Sequence, residues 1–188
     1  MDRRQLVTMK EASRALGAPP HRIIHLCESD VVRPELDAKG RGSVRRFSVD
    51  NLFVAAVALR LQDAGLTVKQ LVLVRDAFDW LLRVRALKAE IDKGGLLGVV
   101  AYLRRGDHPV LLHVVMSEFL KGSRERDIQG DLGGSMVAIE CGRRLPVPAR
   151  PGIHFLTDDH NLLPIPLRMV VNLTRLRDEV LHALTLSQ

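Results

Sequence analysis

The sequence predicts an α+β chain, helical through its first half and mixed in its second. Three observations carry that reading. Capping-box patterns and a Gly-Ala-Pro-Pro break divide the first seventy residues into short helices. A heptad-spaced apolar stripe follows over residues 73–91. Beyond Gly94-Gly95, four short β-branched runs are separated by Gly-, Pro- and charge-rich stretches.

Thr8-Met9-Lys10-Glu11 can close a capping box, the Thr hydroxyl accepting from the N3 amide while Glu11 reaches back, and Gly17 suits a left-handed helix end. This predicts a helix over residues 9–16. Pro19 and Pro20 suit the first turn of a second helix, because proline at N1 gives up only an N–H that would be unpaired anyway. His21 to Ser29 supplies that helix, making a helix-turn-helix candidate. Residues 31–47, VVRPELDAKGRGSVRRF, have strand-like ends around a glycine-rich, charged centre, the pattern of a two-stranded wing. Ser48 then caps the apolar helix LFVAAVALRL, which stops near Gly65, and Thr67-Val68-Lys69-Gln70 opens another. Leu73, Ala77, Trp80, Val84, Leu87 and Ile91 recur at spacings of four and three, which predicts one long helix running almost to Gly94-Gly95.

In the second half, residues 96–104 read as a short helix. VLLHVVM (110–116), SMVAIEC (135–141), IHFL (153–156) and LRMVVN (167–172) read as strands. Asn172 or Thr174 caps a closing helix with Leu173, Leu176, Val180 and Leu184 on one face, and residues 121–134 and 142–152 read as loops. Pro-rich 145–166 reads either as a rim or partner surface or as a long structural loop.

The chain has 188 residues and a net charge of +6. Residues 1–94 hold 17 Lys+Arg against 12 Asp+Glu, whereas residues 95–188 hold 11 against 10. The basic excess therefore sits in the first half and favours a polyanionic partner, and arginine's planar fork suits phosphates and base edges. Cys27 and Cys141 stand too far apart in sequence for a CxxC motif and give neither a disulfide framework nor a metal site. His21 and His25 share a helical face, but Cys27 is rotated about 200° from His25, so those three do not converge on a metal. Gly133-Gly134-Ser135 is not a GxSxG elbow, Asp158-Asp159-His160 reads as a solvated turn, and no phosphate-binding glycine loop occurs. No catalytic residue, metal or cofactor is assigned. No apolar run approaches the roughly 20 residues of a bilayer span, and the N-terminus lacks a signal-peptide core, so a cytoplasmic protein is expected.

Taken together, LVTMKEASRALGAPPHRI, VVRP, GRGSVRRFSVDNL and LRLQDAGLTVKQL occur in an order that resembles the DNA-binding module of MerR-type transcription regulators, over about residues 5–80. The chain departs from that family in two places. Arg22-Ile23-Ile24-His25 stands where many relatives carry an Arg-aromatic-aromatic-Glu run, and Asp30-Val31-Val32-Arg33-Pro34 stands where many carry Gly-Leu-Ile-x-Pro. Asp tolerates the left-handed region better than most residues, so the turn can survive.

The resemblance implies a winged helix-turn-helix domain over residues 1–82, the end of a long linking and dimerisation helix over 83–95, and a small C-terminal α+β domain over 96–188. On that reading Arg41, Arg45 and Arg46 place the wing on phosphates. His21, Arg22 and His25 face the major groove, and Thr8 and Lys10 complete the DNA-contacting set. Leu73, Trp80, Val84, Leu87 and Ile91 form the expected dimer seam, the other partner open to the stripe being the chain's own second half. The expected function is a homodimeric, double-stranded-DNA-binding transcription regulator whose second half senses a small molecule or a protein. An architectural DNA-binding protein is one alternative. A small-molecule-binding or enzymatic C-terminal domain targeted by the helix-turn-helix is the other.

Overall fold

A computed structural model describes residues 6–37, 44–115, 136–141, 153–156 and 168–186. The wing tip with Gly40, Arg41 and Gly42, both expected loops of the second half, and the Gly133-Ser135 and Asp158-His160 clusters lie outside these residues.

The chain is mixed helix and sheet. Strand β1 (Val7–Thr8) leads directly into α1 (Met9–Leu16). The Thr8 oxygen accepts from the Glu11 amide at 3.3 Å, Glu11 Oε2 accepts from the Thr8 amide at 2.6 Å, and Gly17 ends the helix at φ 59°. After the turn, α2 (Pro20–Glu28) begins with proline at its first position and buries Ile23 and Leu26. Asp30 then takes φ 57°, the one left-handed non-glycine among the described residues, which lets the amides of Val31 and Val32 both donate to Leu26 O. Leu36 and Arg46 exchange backbone hydrogen bonds, and β2 (Arg46–Phe47) pairs antiparallel with β1. The two ends of the expected wing therefore meet at Arg46, with α1 beginning on its other side.

Helix α3 (Val49–Asp63) opens on a Ser48–Asn51 capping box. Leu52, Phe53, Ala55, Ala56, Val57, Ala58, Leu59 and Leu61 are all buried, as expected of a helix apolar on every side and enclosed by neighbours. It touches α1, α2, α4, β2 and elements of the second half. Gly65 (φ 93°) turns the chain into α4 (Val68–Leu81), where Gln70 Oε1 accepts from the Thr67 amide at 2.8 Å.

The single long helix expected over 73–91 is not formed. Helix α4 ends at Leu81, Val84 is extended (φ −69°, ψ 113°), a 3₁₀ turn covers Arg85–Leu87, and α5 (Lys88–Leu103) follows. Val84 and Leu87 are buried in the chain's own core, and the reversal at Val84 is what brings them there. Burial outweighs the helical preference of a segment that contains neither Gly nor Pro.

The helix breaks at Gly94-Gly95 as expected, in a sharp kink that divides α5 into two limbs. Gly95 has φ 58° and ψ −144°, and the limb that restarts at Leu96 is the short helix expected there. Asp50 of α3 holds it: Leu96 N donates to Oδ2 at 3.0 Å and Leu97 N to Oδ1 at 3.3 Å. The two limbs fold closely together, since a Cβ at Gly98 would lie 2.7 Å from the carbonyl oxygen of Glu90.

The four expected strands form one sheet in the order β5-β4-β3-β6. Strand β3 (Leu111–Val115) pairs antiparallel with β4 (Met136–Glu140) and with β6 (Arg168–Asn172), while β5 (Ile153–Leu156) runs parallel to β4. Leu112, Val114, Val137 and Ile139 alternate onto the buried face. Asn172 Oδ1 accepts from Arg175 N at 2.9 Å and starts α6 (Leu173–Thr185), whose Leu173, Leu176, Val180 and Leu184 are buried as expected. Helix α6 packs on α3, α1 and α5, so one apolar cluster runs from Val7 to Leu184.

Candidate nucleic-acid interface

With Ile23 and Leu26 turned inward, α2 presents His21 and His25 to solvent on one face. Arg22 is not brought to that face. Its Nη2 donates to Asp63 Oδ1 at 2.6 Å and to Gln62 Oε1 at 2.9 Å, tying the start of α2 to the end of α3. Cys27 is half-buried on the inner flank, where burial pushes its thiol up to about 11 against a smaller opposing effect of the Arg45 guanidinium. The histidine pair and Cys27 thus face apart, and among the described residues no three His, Cys, Asp or Glu side chains could hold a metal ion.

The wing root is close to both helices. Arg45 has a side chain only 18% exposed, and its Nε donates to Asp37 Oδ1 at 2.9 Å across the hairpin. That hydrogen bond, more than any other influence, raises its pKa, with Glu28 of α2 adding a smaller contribution. Arg46 is half-buried and lies near the start of α1. The Thr8 amide and hydroxyl hold the Glu11 carboxyl below its ordinary pKa, and Arg46 and Arg14 lower it further. Thr8 is occupied as a cap, its hydroxyl donating to Glu11 Oε2 at 2.8 Å, whereas Lys10 is exposed on the first turn of α1. Lys10, His21, His25 and Arg46 are therefore the expected contact residues with side-chain surface to offer. Arg22, Arg45 and Thr8 are engaged within the chain, and Arg41 lies outside the described residues.

Sequence reasoning missed the group that fixes the exit from α2. Arg33 grips Asp30 with Nε at 2.8 Å and Nη2 at 2.9 Å, and reaches Asp79 of α4 at 3.0 Å. Arg75 of α4, only 11% exposed, donates to the Asp30 carboxylate at 2.6 Å and also to the Asp30 carbonyl oxygen. The Arg33 hydrogen bond, followed by the charges of Arg75 and Arg33, holds the Asp30 carboxyl at about 2. The i,i+3 spacing of Asp30 and Arg33 was a visible signal for one half of this cluster. Nothing local in the sequence announces Arg75.

Of the stripe expected at a dimer seam, Ala77, Val84 and Leu87 are buried, and Leu73, Trp80 and Ile91 are half-buried. They are divided among α4, the turn and α5. Among the described residues, no helix is long and apolar enough to cross a membrane. Compared with known proteins, the chain matches no protein-family model and no curated sequence.

Proposed function

We propose that the chain is a sequence-specific, double-stranded-DNA-binding transcription regulator of the MerR type. On this reading α1, the Gly17 turn, α2 and the Leu36–Arg46 hairpin form a winged helix-turn-helix. The observation that carries it is the juxtaposition just described: His21 and His25 are exposed on a helix anchored by Ile23, Leu26 and Arg22, beside a wing root whose Arg46 adjoins the start of α1. Helix α2 enters the major groove, with His21 and His25 reading base edges while Lys10 and Arg46 sit on phosphates. The protein works in the cytoplasm as a homodimer, and half-buried Leu73, Trp80 and Ile91 supply apolar surface to the partner. Residues 96–188 carry the effector response.

The test is selection of genomic fragments by the purified full chain at physiological salt, followed by sequencing of what is retained. A single palindromic site enriched by roughly 10³-fold or more over random duplex is expected of a regulator. Uniform retention would instead indicate an architectural protein, and no retention would sink the DNA-binding reading. Light scattering at high micromolar concentration should give twice the chain mass; a monomer there removes the homodimer.

A further inference from the structure

A cleft of about 360 Å³ opens between the wing root, the kink of α5 and α6. Its size lies at the small end of the range for bound organic molecules. Glu35 and Ser48 line it, one just before the Leu36 bridge to Arg46 and the other just after β2. Leu97 and Leu181 supply apolar lining, and Gly94 leaves the wall open, since a Cβ there would meet nothing within 4 Å.

The charges around the cleft are divided. Lys93, whose Nζ also reaches Glu90 Oε1 at 3.4 Å, and Arg177 lie on the α5 and α6 side, and Glu35 on the wing side. Asp50 also borders the space, but its two carboxylate oxygens accept from the Leu96 and Leu97 amides. Arg177 is held in place by donating Nε to Leu97 O at 3.2 Å and Nη1 to Asp178 at 2.6 Å, while its Nη2 has no hydrogen-bond partner among the described residues. Glu35 has none among them either. A rim with cations on one side, a carboxylate on the other and leucines between complements a molecule of the opposite layout.

We propose that this cleft binds a small zwitterion with an apolar body, the chemistry of a hydrophobic amino acid. Its carboxylate meets Lys93 and Arg177, its ammonium meets Glu35, and its side chain covers Leu97 and Leu181. As an effector site the cleft rests on the regulator reading, because its occupant would brace the wing root against α5. Binding itself requires no DNA.

The experiment is isothermal titration calorimetry of the full chain, without DNA, using L-leucine, L-phenylalanine and their N-acetyl and amide derivatives. At least one free amino acid binds, and each blocked derivative binds about tenfold more weakly, as expected when one charge-assisted contact is lost. Glu35→Gln abolishes the preference for a free amine, Lys93→Gln weakens binding, and Gly94→Leu eliminates it without lowering the melting temperature. Absence of heat with every probe overturns the proposal, as does undiminished binding by the Gly94→Leu protein or equal binding of the blocked derivatives. A chain that binds the amino acid yet retains no duplex DNA would refute the regulator reading and leave the site standing.

Discussion

Replacing Asp50 with alanine tests the contact by which α3 holds the second limb of α5. The carboxylate sits in the first turn of α3 and accepts the first two amides of the limb that restarts at Leu96. A carboxylate capping a helix start contributes about 0.5–2 kcal/mol, and leaving its amide partly buried and unpaired costs about 1–3 kcal/mol. The 3.0 Å bond carries most of this and the 3.3 Å bond less. Asp50→Ala should therefore lose about 2 kcal/mol, equivalent to roughly 4–8 °C in Tm for a chain of this size. Asp50→Asn keeps one acceptor oxygen and should lose about half as much. Urea unfolding followed by far-UV circular dichroism measures both, with an unchanged m-value showing that the same structure unfolds. A loss under about 0.5 kcal/mol, the ordinary surface effect, would mean that Asp50 does not hold the kink.

The three glycines of α5 should rank by geometry: Gly94→Ala is neutral or slightly stabilising, whereas Gly95→Ala, at φ 58°, and Gly98→Ala, with its Cβ 2.7 Å from Glu90 O, each cost about 1–3 kcal/mol in the same urea assay. Arg46→Ala should flatten the log–log salt dependence of DNA binding by about 0.9, the value of one phosphate contact. Arg22→Ala should leave that slope unchanged while lowering stability, because its guanidinium belongs to Asp63 and Gln62; anisotropy titrations across a salt series separate the two. Asp30→Asn keeps a residue that tolerates φ 57° and removes the charge facing Arg33 and Arg75. The Asp30 pKa is depressed in the folded chain, so its contribution is full above the ordinary 3.8 and is lost as pH falls toward about 2. Because the group is exposed, the loss at neutral pH should be held to about 1 kcal/mol. The gap between the two proteins should close over that acid range, and a gap that persisted there would exclude the ion pairs as its source.

The elements legible in the sequence were those whose causes are local. Thr8 with Glu11, Gly17, Pro20, Ser48, Asn172 and the left-handed tolerance of Asp30 each act within a few residues of their own position, and each stands where its chemistry requires. The four strands were legible from β-branched runs, and their pairing order was not, because a pairing such as β3 with β6 joins segments far apart in the sequence. The single long helix read from the stripe Leu73 to Ile91 failed for the same reason. A 4-3-4 apolar spacing fits one straight helix facing a partner, and it also fits two helices folded about Val84 onto a shared core. Only the packing of Leu87 against the rest of the chain distinguishes them.

The candidate interface follows the same division, and there it changes the chemistry. Composition counts every arginine of the first half as available charge, but Arg22, Arg33, Arg45, Arg60 and Arg75 all make ion pairs within the chain. Among the described residues, Lys10, Arg14, His21, His25 and Arg46 of α1, α2 and the wing root make none, and neither do the exposed Lys69, Arg83 and Arg85 of α4 and the turn that follows it. Fewer cations are therefore free of an internal partner than the composition counts, and part of that free set lies where the proposed contact is. On the proposed DNA-binding reading, positioning on phosphate would fall to Lys10, Arg14 and Arg46, while the exposed face of α2 would offer the imidazoles of His21 and His25 to base edges.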